Sequence, residues 1–255
     1  MRRREKFVLS SIFLSLSMFA LQYLSIEWRY LGIVGLKGLV YAVSSWALND
    51  DLQFHERLTI VPLPAMYAAA VGLFYFLLPG NLISQLVILL LFGIGMYALY
   101  LTANIYSVAK ARTIQLLYAA HAVGLFFTLL TSLLLTNAFL SLHLPFWVNG
   151  LLIGVIHFPL AFMALWSVNL EDFIALDLVY YSILVSVFLT EVAAILSFLP
   201  VPIWHFSLFI NGLIYLILGF LQSYLRGRLF KSTLTEYSLL AVFLAVLFLV
   251  FFHWK

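Results

Sequence analysis

A chain of 255 residues that is 65% apolar and 9% charged, with a mean hydropathy of +1.12, is not an ordinary soluble domain, in which about a quarter of residues carry charge. A soluble fold of this size would leave much of that apolar surface exposed in aggregation-prone patches, so lipid is the solvent the composition requires. The net charge of +3 is small for a polyanion binder, and the absence of cysteine excludes disulfides, thiolate nucleophiles, Fe–S clusters and cysteine zinc sites.

The N-terminus, "MRRREKFVLSSIFLSLSMFALQYLS", has the basic start and apolar body of a signal peptide. No small-x-small cleavage site follows and further apolar segments come after it, so it is read as a first transmembrane helix. A spanning helix needs about 20 mostly apolar residues, and that ruler predicts about nine, at 7–26, 30–48, 58–79, 82–104, 114–137, 147–168, 178–199, 205–224 and 237–253. The connectors are short, and two carry turn residues, Pro79-Gly80-Asn81 and Pro200-Val201-Pro202. The expected fold is an all-α polytopic bundle, one transmembrane domain over 1–255.

Lysine and arginine gather in short cytoplasmic loops. With the N-terminus inside, Arg2, Arg3, Arg4, Lys6, Arg57, Lys110, Arg112, Arg226, Arg228 and Lys231 share one side, while Arg29, Lys37 and Lys255 fall on the other side or within spans. The expected topology therefore has a cytoplasmic N-terminus and an external C-terminus, in the inner membrane of a bacterial-type cell. The basic residues serve orientation, and no nucleic-acid partner is expected. Trp28, Tyr30, Trp46, Trp147, Trp204, Tyr237 and Trp254 lie near predicted span ends, as interfacial belts require. Small residues at Gly35, Gly38, Ala65, Ala68, Ala69 and Gly72 read as helix-packing positions.

An ionisable side chain deep in the bilayer costs a few kcal/mol on insertion scales and normally faces a partner or a wet cavity. Glu191, in "SVFLTEVAAILSFLP", lies about 12 Å inside its predicted span, and Lys37, in "GIVGLKGLVY", about 10 Å inside its own. The two are expected to pair at matched depth. Three readings are open: a buried ion pair that fixes helix register, a coupling site at which Glu191 takes up and releases a proton or cation, or a protonated Glu191 with Lys37 snorkelling outward. Asn211 and His157 are expected to join this polar layer, with His121 nearer the cytoplasmic face. A lone intramembrane histidine more often makes an interhelical hydrogen bond than a metal or relay site, and no H-E-x-x-H motif is present.

Two cytoplasmic loops concentrate carboxylates, "LNDDLQFHER" and "VNLEDFIALD". Asp50, Asp51, His55 and Glu56 facing Glu171, Asp172 and Asp177 would suit Mg²⁺ and the phosphates it carries. Lys110 and Arg112 would neutralise a diphosphate leaving group. On the nine-span topology, Asn49-Asp50 and the Asn169, Asp172, Asp177 run, the sequence resembles the UbiA-type intramembrane prenyltransferases. It departs from their pattern at Gln53, where the family carries a further aspartate, and in the spacing of the second run. The stretch "NIYSVAKARTIQLLYAAHAVGLFFTLLTSLLL", residues 104–135, is similar to uncharacterised multi-span bacterial membrane proteins, a resemblance that implies no activity.

Three functions are carried forward. The first is transport of a small solute or ion, with Glu191 and Lys37 in the polar layer. The second is an assembly subunit of a larger membrane complex. The third is a Mg²⁺-dependent lipid or prenyl transferase at the cytoplasmic loops. Only the third is an enzyme, and only it implies a cofactor. The bilayer, and other membrane subunits in the assembly reading, are the expected partners.

Overall fold

The computed structural model describes residues 2–49, 56–78, 81–109, 115–171 and 173–251. Among these every regular element is helical: α1 Arg3–Ala20, a 3₁₀ turn Leu21–Tyr23, α2 Ile26–Ala47, α3 Glu56–Thr59, α4 Pro62–Tyr75, α5 Leu82–Ala109, α6 Leu117–Leu140, α7 Phe146–Asn169, α8 Leu176–Leu196, α9 Ile203–Leu225 and α10 Lys231–Phe251. Eight helical segments are long and apolar enough to cross a membrane, α3 and α4 together counting as one of them. This is the makeup of a multi-pass membrane protein. α1 is not among the eight, because Arg3, Arg4, Glu5 and Lys6 fill its first turn.

Local sequence explains several boundaries. The Glu5 carboxylate accepts the Arg2 backbone N–H at 2.9 Å and caps α1. Pro62 stands at the start of α4, where its missing N–H costs nothing. The turn between α9 and α10 holds Gly227 at φ +64°, a backbone conformation that glycine alone adopts freely. Pro200 and Pro202 separate α8 from α9.

The helices gather into two compact units, residues 1–131 and 132–255, with α6 contributing to both. In the first unit α1 packs on α2 and α5, and α4 packs on α2 and α5. Aromatic rings fill its core. Phe7 stacks on Tyr100 with centroids 5.8 Å apart, and Tyr67 meets Phe92 at 5.8 Å and Phe127 at 5.1 Å. Glycines make room for these rings: a Cβ at Gly95 would strike Tyr67, and one at Gly124 would strike Tyr106. Ala65 and Ala68 are buried, and Gly72 lies against Ile33, Met18 and Leu36, so the small face of α4 is packed.

The second unit is built on the α7–α8 pair, with α9 against both and α10 against α9. Gly150 and Gly154, one turn apart on α7, oppose Ser186, Thr190 and Ala194 on α8. The helices come so close that a Cβ at Gly150 would lie 2.9 Å from the Thr190 carbonyl oxygen, and one at Gly154 would overlap Thr190 Oγ1. Ser186 Oγ donates to the Gly154 carbonyl at 2.7 Å, a hydrogen bond that only such close approach permits. Gln222 of α9 adds a donor to the Ala164 carbonyl at 3.0 Å.

These contacts set a contrast for mutation. Gly150→Ala should destabilise the protein by about 2 kcal/mol, because the opposing atom is backbone and does not rotate away. Gly35→Ala, whose Cβ meets nothing within 4 Å, should change the stability of the single chain by less than about 0.5 kcal/mol. Thermal unfolding of both variants in lipid discs checks the pair.

Candidate functional site

The polar residues within the helices fall into two kinds. The first is buried or half-buried and hydrogen-bonded within its unit, although Ser10, Thr59, Thr131 and Thr136 are buried with no hydroxyl partner among the described residues. Ser11, Thr102, Thr128, Ser182, Thr190, Ser197 and Ser207 each donate to a backbone carbonyl four residues earlier, which satisfies the hydroxyl inside its own helix.

His157 is the most completely enclosed ionisable group of the second unit, at 0% exposure. Its Nδ1 lies 2.7 Å from the Ile153 carbonyl oxygen, and its Nε2 lies 2.8 Å from Ser132 Oγ on α6. A carbonyl only accepts, so Nδ1 carries the hydrogen; the Nε2 of the neutral ring then accepts from the Ser132 hydroxyl. A hydroxyl, an imidazole and an orienting acceptor in series is the arrangement that activates a nucleophilic serine. Here both side chains are fully buried, so no substrate carbonyl can reach Ser132 Oγ. The geometry therefore makes this an interhelical lock. The signal in the sequence is Thr128, Ser132 and Thr136, spaced by four along one face of α6 and all buried.

Lys37 and Glu191 are of the second kind. α2 begins at Ile26, earlier than hydropathy alone predicts, and this puts Lys37 eleven residues into a 22-residue helix, about 16 Å from its start and deeper than expected. α8 ends at Leu196, five residues after Glu191, so the carboxylate sits about 8 Å from that end, shallower than expected. Lys37 belongs to the first unit and Glu191 to the second, and each is exposed on its own helix. Around Lys37 the exposed face of α2 includes Val34, Gly35 and Gly38; around Glu191 that of α8 includes Val187, Phe188 and Ile195. Neither charged side chain makes a hydrogen bond or ion pair within its own unit among the described residues. Asn211, half-buried in α9, has a buried Oδ1 with no partner among the described residues. No hydrogen bond links His157 to Glu191: the histidine is committed to Ser132 and Ile153.

Of the residues expected at the acidic loops and the basic loop between them, Asp50, Asp51, His55, Lys110, Arg112 and Asp172 lie outside the described residues. Asp177 is exposed in the first turn of α8, where a carboxylate favours the helix N-terminus. Glu171 accepts the Asn169 side-chain amide at 3.4 Å, and its backbone carbonyl accepts the Trp166 indole N–H at 3.2 Å. Among the described residues no group of three His, Asp or Glu side chains is placed to hold a metal ion.

Glu56 departs from a solvated loop acid. It is 1% exposed at the start of α3 and accepts from Ser107 Oγ of α5 at 3.1 Å. Beside it in sequence, Arg57 donates to Asn49 Oδ1 at 2.8 Å, and the Arg57 carbonyl accepts from Tyr41 OH at 3.2 Å. α2, α3 and α5 are thus tied together by polar contacts at one end of the first unit. Its position at the edge of an apolar run was the only sequence sign of this burial.

Comparison of the chain with protein-family models, curated proteins and solved structures finds no match.

Ser132→Ala removes the donor to His157 Nε2 and leaves a buried acceptor unpaired. It should lower stability by about 1 kcal/mol, read as a drop in melting temperature in lipid discs.

Proposed function

We propose that this protein is a subunit of a membrane-embedded assembly, crossing the bilayer nine times with its N-terminus cytoplasmic, in the inner membrane of a bacterial-type cell. The observation that carries the reading is the exposure of Lys37 and Glu191 on otherwise apolar helix faces. A lysine at the centre of a lone spanning helix costs about 2.5–3.5 kcal/mol on insertion scales, a carboxylate nearer a helix end costs less, and both costs are relieved when another protein surface covers the charge. The nine-span topology is supported by the basic start of α1, since Arg3, Arg4 and Lys6 precede an apolar run that continues through the 3₁₀ turn.

Transport of a small solute or ion is the second reading. Its support is the set of buried polar side chains in the second unit, among them Thr136, Asn137, Asn149, His157 and Ser182. The transferase reading, with Mg²⁺ as its cofactor, keeps as support only the carboxylates of the two cytoplasmic loops.

Two measurements separate the first two. In a mild detergent, the protein mass of the particle, bound detergent subtracted, is expected to exceed the 29.0 kDa of one chain, and Glu191→Gln is expected to leave ion flux in proteoliposomes unchanged. A 29.0 kDa particle with pH-dependent flux that disappears in Glu191→Gln would replace assembly by transport.

A further inference from the structure

Small residues in this chain are normally filled. Gly150 and Gly154 take the α8 backbone and its hydroxyls, Gly72 takes Ile33 and Met18, and Gly95 takes the Tyr67 ring. Gly35 and Gly38 are different: both are exposed, and a Cβ on either meets nothing within 4 Å. Between them stands Lys37, at the middle of a helix long enough to span. The face thus offers a shallow place where another helix can approach closely, with a cation at its centre. The exposed face of α8 offers the complement, the Glu191 carboxylate set among Val187, Phe188 and Ile195.

We propose that a second copy of this chain lays the Glu191 face of its α8 on the Gly35–Lys37–Gly38 face of α2, with the Lys37 ammonium donating to the Glu191 carboxylate within the bilayer. The proposal rests on the assembly reading and names the partner that reading requires. Its warrant is charge complementarity: each face carries one intramembrane charge, of opposite sign, and docking withdraws both from lipid at once. The contact is head-to-tail, joining different faces of two copies.

The geometry along the two helices is compatible. When successive spans alternate in direction, α2 and α8 run oppositely across the membrane, so the start of α2 and the end of α8 lie at the same surface. Lys37 is about 16 Å from that start and Glu191 about 8 Å from that end. Side chains tilt toward the N-terminus of their own helix. In an antiparallel pair, that tilt carries Lys37 toward the shared surface and Glu191 away from it, which brings the two charged ends together. Val34 and Phe188 are each about 12 Å from the same ends and so stand level with one another.

The chain has no cysteine, so any disulfide formed is an introduced one. Two differently tagged full-length copies, one Val34→Cys and the other Phe188→Cys, are co-expressed and oxidised in native membranes. The expected result is a disulfide-linked dimer bearing both tags. Its yield should fall at least tenfold when Lys37→Glu is added to the first copy or Glu191→Lys to the second, and return when both are present. Gly35→Leu with Gly38→Leu in the first copy should abolish the mixed dimer while that copy still folds and inserts as a single chain, since nothing of its own lies within 4 Å of a Cβ at either position. The proposal is overturned if no mixed dimer forms, if its yield ignores the charge changes, or if a chain carrying both cysteines closes on itself as a monomer. A particle larger than one chain without the mixed disulfide leaves the assembly reading standing and removes this one, whereas a 29.0 kDa particle removes both.

Discussion

Inside hydrocarbon no water completes a hydrogen bond, so each polar atom must find its partner in the protein or be covered by another. Short hydroxyls meet the requirement locally, by bonding the carbonyl one turn back, as Ser11, Thr128, Thr190 and Ser197 do. Longer polar side chains meet it between helices. Tyr100 reaches Ser44 at 3.1 Å, Tyr106 reaches the Ala120 carbonyl at 2.9 Å, and His157 spends both ring nitrogens on Ser132 and Ile153. Such bonds need helices close together, and glycine supplies the closeness: Gly124 beneath Tyr106, and Gly154 beneath Ser186 and Thr190. Packing and polar satisfaction are one problem here, and the sequence pairs small residues with hydroxyls to solve it.

Lys37 and Glu191 stand out as charged exceptions to that economy, whereas the others, among them Ser10, Thr131, Thr136 and Asn211, are neutral. Both lie on exposed faces, among side chains suited to lipid. A buried ion pair contributes little net stability once its desolvation is counted, but it strongly disfavours every arrangement that leaves either charge alone. Two open faces of opposite charge are therefore better suited to specifying which surfaces meet than to strengthening the fold. Glu56 shows the contrast: it too is an acid at a membrane helix, but it is enclosed by its own unit and bonded to Ser107.

Much of the architecture was legible from hydropathy. The predicted spans at 82–104, 147–168 and 205–224 fall within α5, α7 and α9, because apolar length is what a bilayer selects. The ends were less legible. α10 starts at Lys231, six residues before its predicted start, since Ser232, Thr233 and Glu236 are polar yet helix-compatible. Such residues mark the edge of the oil and not the edge of the helix. α2 likewise starts at Ile26, ahead of Arg29. The helix-packing role of Gly72 was readable from its spacing with the alanines before it, but equal spacing did not distinguish filled from open: Gly35 and Gly38 remain exposed. The α7–α8 seam was signalled by Gly150 and Gly154 opposite Ser186, Thr190 and Ala194, a pattern that needs two helices to be read together. The bonding of His157 to Ser132 likewise depends on which helices become neighbours, and no single span encodes that.

The most direct test is an experimental density map of the full chain in a lipid disc, examined over the exposed faces of α2 and α8. The account predicts protein density against Gly35 and Gly38, continuous with a helix whose carboxylate meets Lys37. Acyl-chain density alone on both faces, around a single chain with Lys37 and Glu191 open to lipid, would contradict it.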